Sequence, residues 1–404
     1  MIKYFSVATA TAATVCLFLT STSSSAEAVK TQSVELPANF PEFSWEKVPL
    51  YMHVRKDTAY TQEEINYLAR FPLLTFEKSN GDKDSGSTEV GTLKAARAVK
   101  ALSPATKILY YRNVIVHYPG YAANDLLSEV DKPFLIGKNG NHKLVRGRVE
   151  AYDLSNKALR DWWLDAAREV CADPAIDGIF LDGVVKVIEP GYLKRDIGEE
   201  KKAEVLAGYE QMMKDTRAML GTEKLMLANI LRARFDDSGL SYLEGMDGNY
   251  IEGFEGAIRM PRKDYVVKGM EAFQKAAKQG KIIAFTCGIN LNNQDADESE
   301  GAIQKGAGGA ESTGGAGESQ FEKRFDYMLA MFLICAEKYS YFDLTDTYDA
   351  KKSTFWMSHA AQYDNALGAP LGDSIRDGYT FSREFKHASV KLDVENEIGS
   401  ITWK

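Results

Sequence analysis

A (β/α)8 TIM barrel with a small C-terminal β element is the fold class the sequence predicts, and two observations carry it. Short apolar runs alternate with amphipathic helical patterns eight times between Val48 and Leu344, and strands that alternate with helices lie parallel in one sheet. Eight such units over roughly 300 residues fit a closed barrel better than an open sheet. In addition, no Gly-rich phosphate-binding turn follows any of the runs, which weakens the alternative of a doubly wound sheet.

Taken in order, Met1–Ala28 has a single cation, Lys3, an apolar centre over Ala8–Leu19 and a Ser-rich stretch ending Ala26-Glu-Ala28. This is the pattern of a secretory signal peptide with an A-x-A-like cleavage site, and it predicts a secreted or periplasmic protein without stable membrane insertion. Val15 stands before Cys16 where a lipoprotein cleavage box wants a small residue, so no lipid anchor is expected. Residues 29–350 are read as the barrel and 351–404 as the β element docked on it. An irregular lead-in with Pro37 and Pro41 precedes the first strand.

Strands are expected at Val48–Val54, Leu73–Phe76, Lys107–Val116, Ile176–Leu181, Lys224–Ile230, Gly248–Ile251, Lys281–Thr286 and Ser340–Leu344. Thr61-Gln-Glu-Glu opens a helix to about Arg70 with a capping-box pattern. Further helices are expected at Gly91–Leu102, Asn156–Ala172, Glu199–Leu220, Ser238–Leu243, Lys263–Lys278 and Phe321–Lys338. Leu159, Trp162, Trp163, Ala166 and Val170 recur at spacings of three and four, one apolar helix face. Two interruptions break the rhythm. His117–Asp153, with Tyr118, Tyr121, Arg146 and Arg148, is expected to wall a cleft; Asn290–Gln320, low in complexity, is read as a lid or as disorder. Alternation at Val390, Leu392 and Val394, and again at Ile401 and Trp403, marks the closing β element, which also takes in Tyr379–Phe385.

The bulk properties narrow the partner. Hydrophobic residues make up 45% of the 404, the net charge is −8, and no Lys/Arg-rich block occurs. Nucleic acid and anionic membranes are therefore excluded as partners, a neutral or cationic ligand is favoured, and the oligomeric state stays open. Cys171, Cys287 and Cys335 sit in apolar patterns and are expected to be buried free thiols.

Chemistry in a barrel gathers at the carboxyl ends of its strands. The residues there are His53, Arg55, Glu77, Arg112, Asn113, Asp182, Asn229, Asn249, Glu252, Asp343 and Asp346. Cleaving a glycosidic bond requires two carboxyl groups across it. Asp182 and Glu252 fit best, each following an apolar strand residue and preceding a glycine. Asp177 begins its strand at the opposite face and is read as structural. Glu77 is either a second-choice acid or an ion-pair partner of Lys78 or Arg112. Asp343 and Asp346 either bind sugar hydroxyls or cap the loop at Tyr348. Sugar sites also need flat aromatic faces and planar donors. Tyr110, Tyr111, Tyr250, Tyr348 and Trp356 lie near the expected face, and Arg112 and Asn113 offer donors; Trp162 and Trp163 belong to a helix stripe and are read as core. The expected substrate contacts are thus Glu77, Arg112, Asn229, Tyr250, Asp343 and Trp356. No H-E-x-x-H, C-x-x-C or G-x-S-x-G occurs, so a carboxylate mechanism without metal or cofactor is the expectation.

Tyr152-Asp-Leu-Ser-Asn-Lys-Ala-Leu-Arg-Asp-Trp-Trp163, followed by Ile176-Asp-Gly-Ile-Phe-Leu-Asp-Gly183, resembles the glycoside hydrolases of the hypothetical glycosyl hydrolase 15 type. The similarity covers most of Val48 to Trp403, including Tyr51–Arg55, Gly147–Glu150 and Arg383–Val390. It implies a TIM barrel and a carbohydrate substrate, and carries over Asp182 as a catalytic carboxylate. It says less about Glu252, because the strand-six acid varies among related barrel families. Where those relatives often have Asp or Asn after the strand-four aspartate, this chain has Gly183. The resulting expectation is a secreted glycoside hydrolase acting on a polysaccharide or oligosaccharide with Asp182 and Glu252 as its acid/base pair. The alternatives are a non-catalytic carbohydrate-binding barrel and a polysaccharide lyase using Tyr111 beside Arg112 or Arg148.

Overall fold

Eight parallel strands hydrogen-bond in chain order: β1 (Tyr51–Val54), β2 (Leu73–Phe76), β3 (Lys107–Asn113), β4 (Gly178–Asp182), β5 (Leu225–Ala228), β6 (Gly248–Glu252), β7 (Ile282–Gly288) and β8 (Ser340–Thr345). The computed structural model describes residues 39–254, 260–288 and 317–404, all within the unit Ala38–Lys404. The expected signal peptide over 1–28 and residues 290–316 of the second interruption lie outside the described residues. The ring is completed where β8 meets the chain just before β1: Leu50 bridges in parallel to Phe342, whose N–H donates to Pro49 O at 2.8 Å.

Covered on both faces, these strands read as nearly continuous apolar runs, which is why all eight were legible. Odd-numbered positions of β1, β2, β3 and β8 and the matching set of the others point inward. Tyr51, Leu73, Tyr111, Phe180, Leu227, Tyr250 and Tyr341 fill the barrel. The alternate residues, among them Leu74, Ile108, Tyr110, Ile179 and Leu181, pack outward against the helices. The lead-in seals the amino-terminal mouth: Phe43 meets Tyr339 and Tyr341 edge-on at 5.7 and 5.8 Å, and the Tyr341 hydroxyl donates to Glu42 O at 3.1 Å.

The outer helices are α1 (Gln62–Leu68), α2 (Asp82–Ser85), α3 (Thr88–Leu102), α4 (Lys157–Cys171), α5 (Val184–Ile188), α6 (Lys194–Ile197), α7 (Glu199–Leu220), α8 (Arg262–Lys278) and α9 (Gly317–Cys335). The capping box of α1 forms as expected, Thr61 Oγ1 accepting from Glu64 N and the Glu64 carboxylate accepting from Thr61 N. The stretch expected as a helix at Ser238–Leu243 is a 3-10 turn, Leu240–Leu243. The short helices α2, α5 and α6 were missed, since four or five residues are too few to show a period. Cys171, Cys287 and Cys335 are free and buried.

Beyond the barrel, β9 (Ile375–Asp377), β10 (Thr380–Glu384), β11 (Ala388–Asp393) and β12 (Ile398–Trp403) form an antiparallel sheet in the order β12-β11-β10-β9. It packs on α9. A Cβ on Gly399 would fall 2.4 Å from Asp326 O, and the buried Arg383 guanidinium donates to Leu333 O at 3.2 Å, to Ala336 O, and to Glu337 Oε1 at 2.9 Å. A cation on the last carbonyls of a helix satisfies groups that have no partner within the helix.

Candidate active site

Because inward positions repeat every second residue, each strand delivers one polar side chain to the carboxyl-end rim: His53, Glu77, Asn113, Asp182, Asn229, Glu252, Thr286 and Asp343. All are buried except Asp182, which is half-buried, and Glu252, which reaches solvent.

Asp182 is the most densely held. Its Oδ2 accepts from the Tyr111 hydroxyl at 2.6 Å and from Asn113 Nδ2 at 3.1 Å, and its Oδ1 lies 3.5 Å from Asn229 Nδ2. Burial pushes the carboxyl up, but Lys186 and Lys78, then the Tyr111 hydroxyl and the Gly183 N–H, outweigh it and hold Asp182 below the usual carboxylate range. Gly183 makes the approach geometrically feasible: its φ is 77°, and a Cβ there would sit 2.4 Å from Asn113 Oδ1. Asn113 is itself anchored, its Oδ1 accepting from Ile115 N and Val116 N at 3.1 and 2.7 Å.

Asn229 joins the two carboxylates. The same Nδ2 lies 3.1 Å from Glu252 Oε2, so the two distances together limit Asp182 Oδ1 and Glu252 Oε2 to about 6.6 Å apart. Glu252 also takes Arg232 Nη2 at 3.0 Å, and its side chain is 39% exposed. Gly253 after it has a φ of 68°.

Glu77 pairs with Lys78 at 2.9 Å, the ion-pair alternative raised from its sequence position, and its other oxygen lies 3.7 Å from His53 Nε2. Burial raises this carboxyl, and Lys78 and His53 bring it below its ordinary value. Lys78 sits 5.4, 5.2 and 5.0 Å from the ring centroids of Tyr111, Tyr118 and Tyr348, within the field of Asp182. Asp343 is different in kind. Burial pushes it up to about 7, against hydrogen bonds from Thr286 and the His53 backbone.

Three expected substrate contacts lie otherwise than expected. Arg112 is an even-numbered residue of β3 and points away from the cleft; its guanidinium lies 5.2, 5.6 and 5.3 Å from the rings of Tyr121, Trp162 and Trp163 under α4. Tyr250 is buried inside the barrel, against His53 at 4.9 Å and Phe180 at 5.2 Å, so it floors the site and offers no open face. Trp356 packs its ring against Tyr60 and Tyr67 at 6.3 and 6.1 Å, over α1. Of the wider candidates, Asn249 points outward and accepts from Ile230 N and Leu231 N, and Asp346 caps its own loop through Thr347 N, Ser353 and Thr354. Asp177 is structural, paired with Lys100 at 2.7 Å. Lys78 entered the sequence reading only as an ion-pair partner of Glu77, and Lys186 was not anticipated; it stands one helical turn beyond Asp182, a spacing that could have drawn notice.

Among the described residues no group of three or more His, Cys, Asp or Glu is placed to hold a metal ion.

Several solved structures are similar to the chain. The glycoside hydrolase domain of PelA from Pseudomonas aeruginosa is 14% identical, with 61% of this chain and 87% of that one covered at a TM-score of 0.40. The GH36 alpha-galactosidase AgaB from Geobacillus stearothermophilus is 11% identical over 87% of this chain and 47% of its own, TM-score 0.48. An Anoxybacillus alpha-amylase is 11% identical over 87% of each, TM-score 0.44. No curated protein sequence matches the chain. The model of hypothetical glycosyl hydrolase family 15 matches residues 100–389, well over half of the sequence and inclusive of Asp182 and Glu252, so the chain belongs to that family and is a glycoside hydrolase.

Proposed function

We propose that the protein hydrolyses a polysaccharide or oligosaccharide outside the cytoplasm with retention of anomeric configuration, Asp182 acting as nucleophile and Glu252 as acid and base. The observation that carries this reading is the Asn229 bridge. A separation of about 5–5.5 Å suits direct attack by one carboxylate, whereas roughly 6.5–9.5 Å leaves room for a water, and one amide nitrogen lying 3.5 Å from Asp182 Oδ1 and 3.1 Å from Glu252 Oε2 favours the closer spacing. Asp182 attacks C1 as Glu252 gives its proton to the departing oxygen. Glu252 then takes a proton from water, which attacks C1 and frees the Asp182 carboxylate. The division of labour follows the surroundings. Asp182 is held ionised by two lysines and a tyrosine hydroxyl, as a nucleophile requires, while Glu252 stands at the solvent-facing rim where protons exchange.

The lyase alternative loses one of its two proposed partners, since Arg112 faces away from the cleft, and Tyr111 is a poor base because burial and Asp182 hold its hydroxyl protonated. The export signal over 1–28 supports action outside the cytoplasm; none of the described helices is long and apolar enough to cross a membrane.

The test is the anomeric configuration of the first product, followed by proton NMR. Retention is expected, and Glu252→Ala should be rescued by azide with formation of a glycosyl azide. A first product of inverted configuration defeats the assignment. So does near-wild-type turnover by Asp182→Asn, which should lose several orders of magnitude while keeping its fold.

A further inference from the structure

We propose that Lys78 is a positioning residue of the substrate cleft. Its ammonium, anchored by Glu77, ties Tyr118 of the excursion and Tyr348 of the loop after β8 to the barrel beside Tyr111, and so holds two walls of the cleft in place. The part in sugar binding rests on the reading of the rim as a hydrolytic centre; the tie itself does not.

Glu77 and Lys78 are the two residues that follow β2, and the chain then turns through Ser79 at a φ of 61°, uncommon for a residue with a side chain. Lys78 Nζ donates to both Glu77 oxygens, at 3.0 and 2.9 Å, and the two side chains are 13% and 5% exposed. A buried pair carries a desolvation cost that its own attraction scarcely offsets. Here ring faces take the place of the lost water. Nζ lies 5.4, 5.2 and 5.0 Å from the ring centroids of Tyr111, Tyr118 and Tyr348, each within the distance at which a π face attracts a cation. Burial works against the charge, but Glu77, then Tyr348, Tyr118 and Asp182, outweigh it and hold the ammonium above the ordinary lysine range. Glu77 is thereby accounted for as well: a carboxylate that stays ionised to anchor Lys78 is not free to act as the acid.

The three rings come from three separate segments of the carboxyl face. Tyr111 is fixed in the barrel by its stack on Phe180 at 5.8 Å. The loop that carries Tyr348 is tied to the end of β1. Arg55 N donates to Tyr348 O at 2.7 Å, Arg55 Nη2 donates to Asp349 Oδ2 at 2.7 Å, and the same guanidinium lies 5.1 Å from the Tyr348 ring. The excursion is tied on its outer side to α3, where Thr88 N donates to Gly120 O at 2.7 Å and the Glu89 carboxylate accepts from Ala122 N at 2.9 Å. On its inner side Tyr118 meets Lys78. One ammonium is therefore the contact shared by a fixed ring and two loop rings. Tyr118 and Tyr348 are half-buried, and the Tyr348 ring lies 6.1 Å from that of His53 at the rim. They stand at the face where a barrel takes its substrate, so the cation that holds them shapes what enters.

The test is a double-mutant cycle on the full chain. Lys78→Met alone strands a buried carboxylate and can unfold the protein, so Glu77→Gln and Lys78→Met are made together and treated as one change; Tyr118→Leu is the other. The cycle is read twice, in urea unfolding and in KM for whichever of soluble starch, xylan, galactomannan, chitosan and polygalacturonate is cut fastest. In both, the combined variant should lose roughly 2- to 30-fold less than the product of the separate losses, the range for one cation–π contact. Tyr348→Leu in place of Tyr118→Leu should behave alike, and Lys78→Arg, which keeps a cation among the rings, should retain most of the KM that the methionine variant loses. Additive losses in unfolding overturn the tie. Coupling in unfolding with additive losses in KM marks a contact that only stabilises, and overturns the positioning role. Failure to cut any of these polymers defeats the hydrolytic reading and the sugar-binding part with it, while the unfolding cycle still decides the tie.

Discussion

The Tyr111 hydroxyl donates to Asp182 Oδ2 at 2.6 Å, from a ring that is buried in the barrel and stacked on Phe180 at 5.8 Å. The tyrosine cannot swing away, so the bond is available to the ionised carboxylate at every stage. Tyr111→Phe removes one of the groups that keep Asp182 below the usual carboxylate range. The Asp182 pKa then rises, and the acid limb of the kcat/KM profile should move to higher pH. The loss in kcat/KM at the optimum should be roughly 10- to 100-fold, the worth of a hydrogen bond to a charged group. A Tyr111→Phe enzyme with an unmoved acid limb shows that another group titrates there.

Gly183 answers the question its sequence position raised. Its φ of 77° disfavours any side chain, and a Cβ would meet Asn113 Oδ1 at 2.4 Å. Gly183→Ala should therefore lower stability by about 1–3 kcal/mol and displace Asn113 from Asp182. Only the second effect depends on Asn113, so Asn113→Ala in the Gly183→Ala background should regain part of the unfolding free energy. Strict additivity of the two losses in urea unfolding would show that the contact is not the constraint.

Legibility in the sequence followed the physics of each element. The eight strands were visible because burial on both faces makes them apolar runs, and β2 and α7 begin and end where the pattern placed them. The rim carboxylates were visible because each abruptly ends such a run. Arg112 was misplaced because it adjoins Asn113 at the end of β3. Anchoring the two-residue period on Asn113 turns Arg112 toward Trp162 and Trp163. Tyr250 is buried as barrel packing and Trp356 is half-buried against Tyr60 and Tyr67, because large aromatics pack before they bind. Lys186 was missed because it stands on a five-residue helix, too short to show a period.

Asp343 gives the fold a pH dependence of definite sign. Its carboxyl stands at about 7 in the folded protein against an ordinary 3.8, so between those values the folded state holds more protons than the unfolded chain. Its contribution is fully present below about pH 4 and is lost as pH rises through 7. At ~1.4 kcal/mol per unit, the loss is at most about 4 kcal/mol. Asp343→Asn removes the titration and keeps the contact with Thr286. The difference in unfolding midpoint between variant and wild type should therefore shift in the variant's favour from pH 5 to pH 8. A difference that is flat across that range rules out Asp343 as the titrating group.

Arg383 is the joint between the C-terminal sheet and the barrel. From β10 its guanidinium donates to the carbonyls of Leu333 and Ala336 at the end of α9 and to Glu337, and it is buried throughout. Arg383→Met keeps the aliphatic volume but leaves those carbonyls without donors, a loss of roughly 3 kcal/mol or more. Because α9 leads directly toward β8 and Asp343, loosening its end also tests whether the sheet supports the rim. If the sheet only stabilises, the variant should unfold at a lower temperature while its kcat/KM at 20 °C stays within about twofold of wild type. A proportionate fall in kcat at that temperature, with the protein still folded by circular dichroism, would instead show that the sheet holds the rim in its working geometry.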